Sequence, residues 1–332
     1  MHGFARGTRP VALAAAVAAA AACALAAGAG GALAAAAAPA WCKPGGTLSA
    51  RTMPQQVKIA DCDLRGRTVR GANGLTAVVP SDGTSLVAHA LRTTGGGAEL
   101  RIEVDGRAGE ITISTTGGRV PEGRPRTSRA PADPCEDGAH RLEPSRWPKG
   151  TAIDWRYHPG ASGLPRSGIE QGVANMVDAR TDCGGRDRFT PPPDIGARYA
   201  GRAGGPPNVT GEAACGTRDE TNTFGWLAMA GAEGDVLAAT CIWYRGETTV
   251  ETDMALQERG KQWWAGGTCT PGSYSVEAVA THEAGHVLGL AHVEGAEHTE
   301  LTMAPSVSSC DEAPATLGKG DYDGLIALYG GR

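Results

Sequence analysis

Aromatic residues are scarce and unevenly distributed in this chain of 332 residues, in which they make up 5% of the sequence. Residues 42–146 contain no Phe, Tyr or Trp, whereas 14 of the 16 aromatic residues lie between Trp147 and Tyr329. Packed cores usually draw on large aromatic side chains. The two regions are therefore predicted to be different structural units.

The chain also lacks an excess of positive charge. Its 31 basic residues stand against 36 acidic ones and give a formal net charge of −5, so the positive field that nucleic-acid binding needs is missing and no nucleic-acid partner is expected. The 49 glycines follow no three-residue period, and 20% of the residues are charged. This composition excludes collagen-like and simple low-complexity proteins.

The first forty residues contain no acidic side chain. They combine a short basic stretch at Arg6 and Arg9 with an alanine-rich apolar run, and they end in Ala38-Pro39-Ala40, a small-x-small cleavage pattern. This arrangement predicts a signal peptide over residues 1–40, a secreted, extracellular protein, and no stable membrane insertion after its removal. A transmembrane anchor is the less favoured reading, because alanine is weakly apolar and glycines interrupt the run.

Nine cysteines cannot all pair within one chain. Cys23 lies in the predicted signal peptide, and its removal leaves eight, enough for up to four disulfide bonds in an oxidising environment. Cys42 and Cys62 are candidates to link the start of the mature chain. Eight cysteines allow about 105 pairings, and the sequence does not choose among them.

Residues 41–116 are predicted to form a small β-rich unit. Short β-prone runs separated by glycine turns cover Leu75–Pro80, Ser85–Leu91, Glu99–Val104 and Glu110–Ser114. The unit is a pro-segment or an accessory module, and nothing in its sequence points to chemistry. Residues 117–134, rich in Pro, Arg and Gly, form a linker that is either a plain tether or a site of proteolytic cleavage.

Residues 135–332 are predicted to form a second, larger domain of mixed α/β or α+β class. The elements expected along it are a strand over Thr151–Tyr157, a helix opened by a capping box of Ser167 and Glu170, an irregular loop over 184–217, strands over Val236–Tyr244 and Thr248–Leu256, a helix capped by Ser275, and a last helix ending near Tyr329.

The informative segment begins at the predicted helix after Ser275. His282 and His286 are four residues apart, so on a helix both imidazoles project from one face and can bind one metal ion. Gly289 can take a positive φ where the helix must end, which brings His292 back as a third ligand. Three neutral imidazoles and an open fourth position are typical of a catalytic zinc site. Glu283 then lies beside the first ligand as the candidate general base.

The sequence His282-Glu283-x-x-His286-x-x-Gly289-x-x-His292 resembles the metzincin zinc motif, and Leu301-Thr302-Met303-Ala304-Pro305 is similar to its Met-turn. Within that clan it most resembles the matrixins, because of the Met-x-Pro form, the histidine as third ligand, and the terminal run from Gly320 to Gly330.

The resemblance implies a metzincin-like catalytic domain with a twisted, mostly parallel sheet, an edge strand, a zinc helix and a C-terminal helix, preceded by the small β-rich unit. It implies a secreted zinc-dependent endopeptidase, in which zinc on His282, His286 and His292 holds a water and Glu283 is the general base. An edge strand near Val236–Tyr244 would pair with the polypeptide substrate. Met303 would form a packing floor beneath the ligands.

Departures from the family pattern qualify these expectations. No Pro-Arg-Cys-Gly segment is present, so a thiol-on-zinc latency mechanism is not supported, and the absence of histidine between His158 and His282 argues against a second, structural zinc.

Calcium sites are left open. We expect a monomer. The alternative function is a secreted binding or adhesion protein that carries a non-catalytic metzincin-like domain.

Overall fold

The structure is a computed structural model, and it describes residues 38–117, 130–161 and 163–332. Residues 1–37 of the predicted signal peptide lie outside the described residues. Most of the predicted linker, residues 118–129, also lies outside them. Within the described ranges the longest helix has 12 residues, and none is long and apolar enough to cross a membrane.

The described chain contains three α-helices and a larger number of strands. The helices are α1 (Ser167–Val177), α2 (Val276–Val287) and α3 (Lys319–Tyr329), with short 3-10 turns at Cys183–Gly185, Ala296–His298 and Ala313–Ala315. The strands are β1 (Leu48–Ser49), β2 (Gln56–Lys58), β3 (Thr68–Arg70), β4 (Thr76–Val78), β5 (Ser85–Arg92), β6 (Ala98–Asp105), β7 (Glu110–Thr116), β8 (Arg141–Leu142), β9 (Ala152–His158), β10 (Gly196–Arg202), β11 (Asn222–Leu227), β12 (Val236–Arg245), β13 (Thr248–Gln257), β14 (Gln262–Trp264), β15 (Ser273–Ser275) and β16 (Leu290–Ala291).

One sheet organises the described residues. It has nine strands in the order β10-β9-β11-β13-β12-β5-β6-β7-β2. The first four are parallel to one another, and every later pairing is antiparallel. The mostly parallel sheet was expected of residues 135–332, and the structure agrees there: three of the four pairings among β10, β9, β11, β13 and β12 are parallel. The strands of residues 41–116 extend this sheet through antiparallel pairings only, since β5, β6 and β7 follow one another through short turns, which join antiparallel neighbours.

The strand β12 does not lie at an edge of the sheet. It pairs with β13 on one side and with β5 on the other, along almost its whole length. The expectation of a free edge strand near Val236–Tyr244 is thus wrong for the structure described. The residues of β5 and β12 that pair are about 150 positions apart in the sequence. Nothing in the sequence of β12 indicates which strand will pair with it.

Two hydrophobic cores lie on opposite faces of the sheet. On one face, α1 and α2 pack over β9, β11, β13 and β12 around Trp155, Phe224 and Met254. On the other face, Trp243 and Cys241 of β12 pack with residues of β3 to β7. Residues 41–116 thus share a sheet and a core with the C-terminal half. The domain boundaries themselves stay predictions.

Local predictions had mixed outcomes. Ser275 caps α2, its hydroxyl accepting a hydrogen bond from the Ala278 N–H at 3.2 Å, as expected. The capping box of α1 is wrong, because the helix is preceded by Arg166, whose guanidinium binds the Glu170 carboxylate that the box required. The loop expected over 184–217 contains the strand β10, which adds to the sheet beside β9.

Four disulfide bonds join all eight cysteines of the described residues. They link Cys42 to Cys62, Cys135 to Cys183, Cys215 to Cys241 and Cys269 to Cys310. The number expected for the mature chain is therefore confirmed, and so is the link at its start. The two cysteines of each bond lie either both before residue 118 or both after residue 129 in the sequence.

Candidate metal centre

The helix α2 carries the first part of the site. His282 and His286 lie one turn apart on its buried side, and Glu283 lies between them. The helix ends at Val287, and Gly289 adopts a φ of +95°, a conformation that side chains with a Cβ rarely take. A Cβ there would also lie 3.0 Å from the Ser145 carbonyl oxygen. The chain then turns back through β16, which brings His292 to the helix.

The three histidines predicted as ligands converge. The Nε2 atom of His292 lies 3.1 Å from Nε2 of His282 and 3.1 Å from Nε2 of His286. Tetrahedral zinc with Zn–N distances of about 2.0–2.1 Å holds its nitrogen ligands about 3.3–3.4 Å apart. The two separations from His292 are close to that distance, so the chemistry and spacing of these donors agree with a zinc site.

The Nδ1 atoms of His282 and His286 have hydrogen-bond partners of their own. Nδ1 of His282 lies 2.7 Å from the Thr302 carbonyl oxygen, and Nδ1 of His286 lies 2.8 Å from the Leu290 carbonyl oxygen. A carbonyl can only accept, so each Nδ1 carries the proton and donates it. This leaves the lone pair on Nε2, the arrangement that backbone carbonyls commonly impose on metal-binding histidines.

Burial keeps these imidazoles neutral. It lowers the pKa of His282 to about 4 and the pKa values of His286 and His292 well below their ordinary value. Metal binding requires the neutral form of histidine. The site is therefore ready to bind a cation at neutral pH without first losing protons.

Glu283 is held by the central sheet. Thr240 of β12 donates a hydrogen bond from Oγ1 to Oε2 of Glu283 at 2.5 Å, while Oε1 has no hydrogen-bond partner among the described residues. Burial raises the pKa of Glu283 to about 7, although the Thr240 hydrogen bond and the nearby His89 oppose the shift. A carboxyl group with a pKa near 7 is suited to exchange a proton at neutral pH.

The predicted packing floor is present beneath the helix. Met303 is 1% exposed, and a Cβ built on Gly285 would lie 2.2 Å from its sulfur. The turn that holds Met303 is fixed by Asp321 of α3, whose carboxylate accepts hydrogen bonds from the N–H groups of Thr302, Met303 and Gly318. The last helix therefore positions the segment below the ligands.

Sequence reasoning missed Thr240, Asp321 and a fourth histidine. His89 of β5 is fully buried, its ring stacks on that of His286 with centroids 3.9 Å apart, and its Nε2 lies 2.8 Å from Glu143 Oε1. A lone histidine in an otherwise apolar strand was the available signal. No sequence signal pointed to Thr240, because the alternation of residues along a strand does not show which of them faces α2.

The comparisons with known proteins agree with the motif. Residues 227–330, which include α2, the Met303 turn and α3, match the family model described as matrixin. The resemblance predicted from the sequence is thus confirmed for this region. The comparison with curated proteins gave no match.

Proposed function

We propose that this chain, a matrixin-like metalloprotease over residues 227–330, is a secreted zinc endopeptidase. His282, His286 and His292 are proposed as the zinc ligands and Glu283 as the general base. The match supports a metalloprotease-type domain, and the mixed α+β fold agrees with it.

The convergence of the three Nε2 atoms carries the proposal. Nε2 of His292 lies 3.1 Å from Nε2 of both His282 and His286, and all three rings are buried. A zinc ion shared by the three rings would account for donor nitrogens that meet in this way. Carbonyl groups of Thr302 and Leu290 hold two of the rings in the required tautomer.

Zinc bound here would act as a Lewis acid that polarises the scissile carbonyl and makes water a better nucleophile. Glu283 would take the proton of the attacking water at Oε1 and deliver it to the leaving amine, which balances the hydrolysis of one peptide bond by one water. Thr240 would orient Glu283 by holding Oε2. Met303 would support the helix from below and takes no part in proton transfer.

The extracellular location and the polypeptide substrate rest on other observations. Four disulfide bonds agree with an extracellular protein. A polypeptide is the substrate expected of a metalloprotease-type domain. The signal peptide over residues 1–40, calcium binding and a monomeric state remain predictions.

Glu283→Gln provides the test. Both the natural chain and this variant should bind about one zinc per chain, measured by metal analysis, because the histidines are intact. Casein cleavage is measured on the protein as secreted and again after limited proteolysis. It should be roughly 10²–10⁴-fold slower in Glu283→Gln than in the natural chain. Glu300→Gln, which changes an exposed glutamate, is the matched control and should cleave normally.

Two results would contradict the proposal. Equal cleavage by the natural chain and Glu283→Gln would remove the assigned general base. A zinc-loaded natural chain that cleaves nothing in either form would favour the binding or adhesion protein instead.

A further inference from the structure

A second cluster of polar side chains lies beside the candidate ligands, on the face of the sheet where Thr240 binds Glu283. His89 of β5 lies directly opposite Thr240 of β12 on one side and directly opposite Glu99 of β6 on the other. Directly opposite residues in an antiparallel pair place their side chains on the same face. The strand register therefore places a histidine and a carboxylate side by side on this face.

Glu143 completes the cluster from a distant part of the chain. It directly follows β8, and its N–H donates a hydrogen bond to the Gly289 carbonyl oxygen at 2.8 Å. Nε2 of His89 lies 2.8 Å from Oε1 of Glu143. One ligand atom from each of His89, Glu99 and Glu143 lies within 4.8 Å of the other two. One imidazole and two carboxylates thus converge from two strands and a loop.

His89 belongs to this cluster rather than to the candidate ligands. Nitrogen atoms of His89, His286 and His292 also lie within 4.8 Å of one another. The rings of His89 and His286 are stacked, however, and within 7° of parallel, so their in-plane lone pairs do not meet at one ion. Nε2 of His89 is instead close to Glu143.

The cluster is buried, and several of its polar atoms lack partners. The side chains of His89 and Glu143 are 0% exposed, and that of Glu99 is 6% exposed. Neither oxygen of the Glu143 carboxylate and neither ring nitrogen of His89 has a hydrogen-bond partner among the described residues. Leaving buried polar atoms of this kind unpaired is costly. The cluster therefore calls for a group that can bind several of these atoms together.

The charges of the cluster favour a cation. Glu99 and Glu143 carry two negative charges, and Arg101 offsets one of them, with Nη2 2.9 Å from Oε1 of Glu99 and 3.9 Å from Oε2 of Glu143. Burial lowers the pKa of His89, but the negative charges of Glu143 and Glu99 outweigh this effect and raise that pKa. The surroundings of the imidazole therefore attract positive charge.

A proton and a metal ion would satisfy this cluster differently. A proton on Nε2 of His89 serves one oxygen of Glu143 and leaves the other without a donor. A divalent cation accepts lone pairs from the imidazole and from both carboxylates together. Because two of the three side chains are carboxylates, the set suits cations of the manganese type, which bind mainly through oxygen, whereas three imidazoles suit zinc.

Neighbouring donors hold the second carboxylate in place. Arg101 binds Oε1 of Glu99, and Thr116 of β7 donates a hydrogen bond to Oε2 at 3.4 Å. Such hydrogen bonds commonly orient carboxylates that bind a metal. The side chain of Arg101 is 25% exposed, more than that of His89, Glu99 or Glu143. A cation can therefore enter on the side of Arg101.

We propose that His89, Glu99 and Glu143 form a second cation site, which binds a divalent cation of the manganese type and is separate from the three candidate zinc ligands. The bound ion links the hairpin of β5 and β6 to the segment between β8 and β9. Its role is structural, and the site does not depend on the proposed function.

Binding of Mn²⁺ tests the proposal. Each chain is loaded with one equivalent of zinc, and Mn²⁺ is then titrated while the electron paramagnetic resonance signal of the free ion is recorded. The natural chain should bind about one Mn²⁺. Glu143→Gln and Glu99→Gln keep the shape of the side chain, and each should weaken Mn²⁺ binding by at least about 10-fold, since even the loss of an outer hydrogen-bond partner of a metal site costs that much.

Two further chains complete the experiment. Glu103→Gln is the matched control, because Glu103 is an exposed glutamate four residues further along β6, and it should bind Mn²⁺ like the natural chain. His282→Ala should lose the zinc but keep the Mn²⁺, because His282 is not a member of the cluster. Circular dichroism checks the folding of every chain, and Glu99→Gln and Glu143→Gln test the site independently of each other.

Two results would overturn the second site. One is a natural chain that binds no Mn²⁺, which would leave an ion pair of His89 with Glu143 as the content of the cluster. The other is Mn²⁺ binding that is unchanged in Glu143→Gln and Glu99→Gln, whether or not His282→Ala removes it. Failure of the proposed function looks different, since zinc would then be missing from the natural chain while Mn²⁺ binding still depended on Glu143.

Discussion

The hydroxyl of Thr240 donates a hydrogen bond to Oε2 of Glu283 at 2.5 Å, from the middle of β12 to the middle of α2. Both residues are fully buried. The candidate general base is therefore oriented by the central sheet, whereas its neighbours on the helix are oriented by backbone carbonyls. A substitution at Thr240 should therefore change the orientation of Glu283 without changing the candidate metal ligands.

Thr240→Val should lower kcat by roughly 10- to 100-fold with little change in KM. The substitution keeps the shape of the side chain but leaves one buried carboxylate oxygen without its donor, a loss of about 1–3 kcal/mol. Steady-state kinetics on the zinc-loaded chain, with zinc content measured in parallel, check this. Thr240→Ser retains the hydroxyl and is the control. A kcat for Thr240→Val equal to that of Thr240→Ser would show that the hydrogen bond is unimportant.

Gly285→Ala should destabilise α2. Its Cβ would lie 2.2 Å from the sulfur of Met303 and 3.1 Å from Cε of Met176, and overpacking of a buried site costs about 1–3 kcal/mol. Urea unfolding of the zinc-loaded chain measures the change. The double variant Gly285→Ala/Met303→Ala removes the nearest obstacle, so the two effects should not be additive. Additive losses would mean that Met303 is not what limits the size of residue 285.

Asp321→Asn should change how stability depends on pH. Burial raises the pKa of Asp321 from 3.8 to about 6, against the effect of three backbone N–H donors. The folded chain therefore holds this proton at a higher pH than the unfolded chain. The stabilising contribution is complete below pH 4 and is lost as pH rises through about 6, at up to about 1.4 kcal/mol per pH unit.

The measurement is urea unfolding at pH 4.5, 5.5 and 7. The advantage of the natural chain over Asp321→Asn should shrink between pH 4.5 and 7, because the variant has no carboxyl group to titrate. Asp323→Asn serves as a control on the same helix, since Asp323 faces Lys319 rather than the Met303 turn. A difference between the natural chain and Asp321→Asn that is constant with pH would contradict the raised pKa.

Zinc removal should lower the thermal stability of the chain and abolish cleavage. A ligand that binds only the folded state stabilises it by mass action, by about 4 kcal/mol at a free concentration 1,000 times its Kd. Calorimetry with and without a chelator, followed by addition of one equivalent of zinc, should show loss and recovery of both properties. His286→Ala should show no zinc-dependent shift in Tm. An identical shift in that variant would place the zinc elsewhere.

Much of the site could be predicted from the sequence because it depends on local geometry. The spacing of His282 and His286 requires only that the segment be helical, and Ser275 at its start and Gly289 at its end mark that helix by short-range rules. The Met303 turn and the last helix followed from their resemblance to a known pattern. Short-range rules failed at Ser167, where the side chain of Arg166 bound Glu170 instead, and over residues 184–217, where β10 forms in a segment expected to be a loop.

The sequence by itself thus determined that three histidines and a glutamate could meet at one helix and its turn. Only the tertiary structure decided that β5 lies against β12, that His89 stacks on His286, that Thr240 holds Glu283 and that the candidate ligands are buried. Strand pairing uses backbone hydrogen bonds that every residue except proline can make, so the partner of a strand is chosen by packing across the whole fold. That is why the segment without aromatic residues showed no chemistry until its place in the sheet was known.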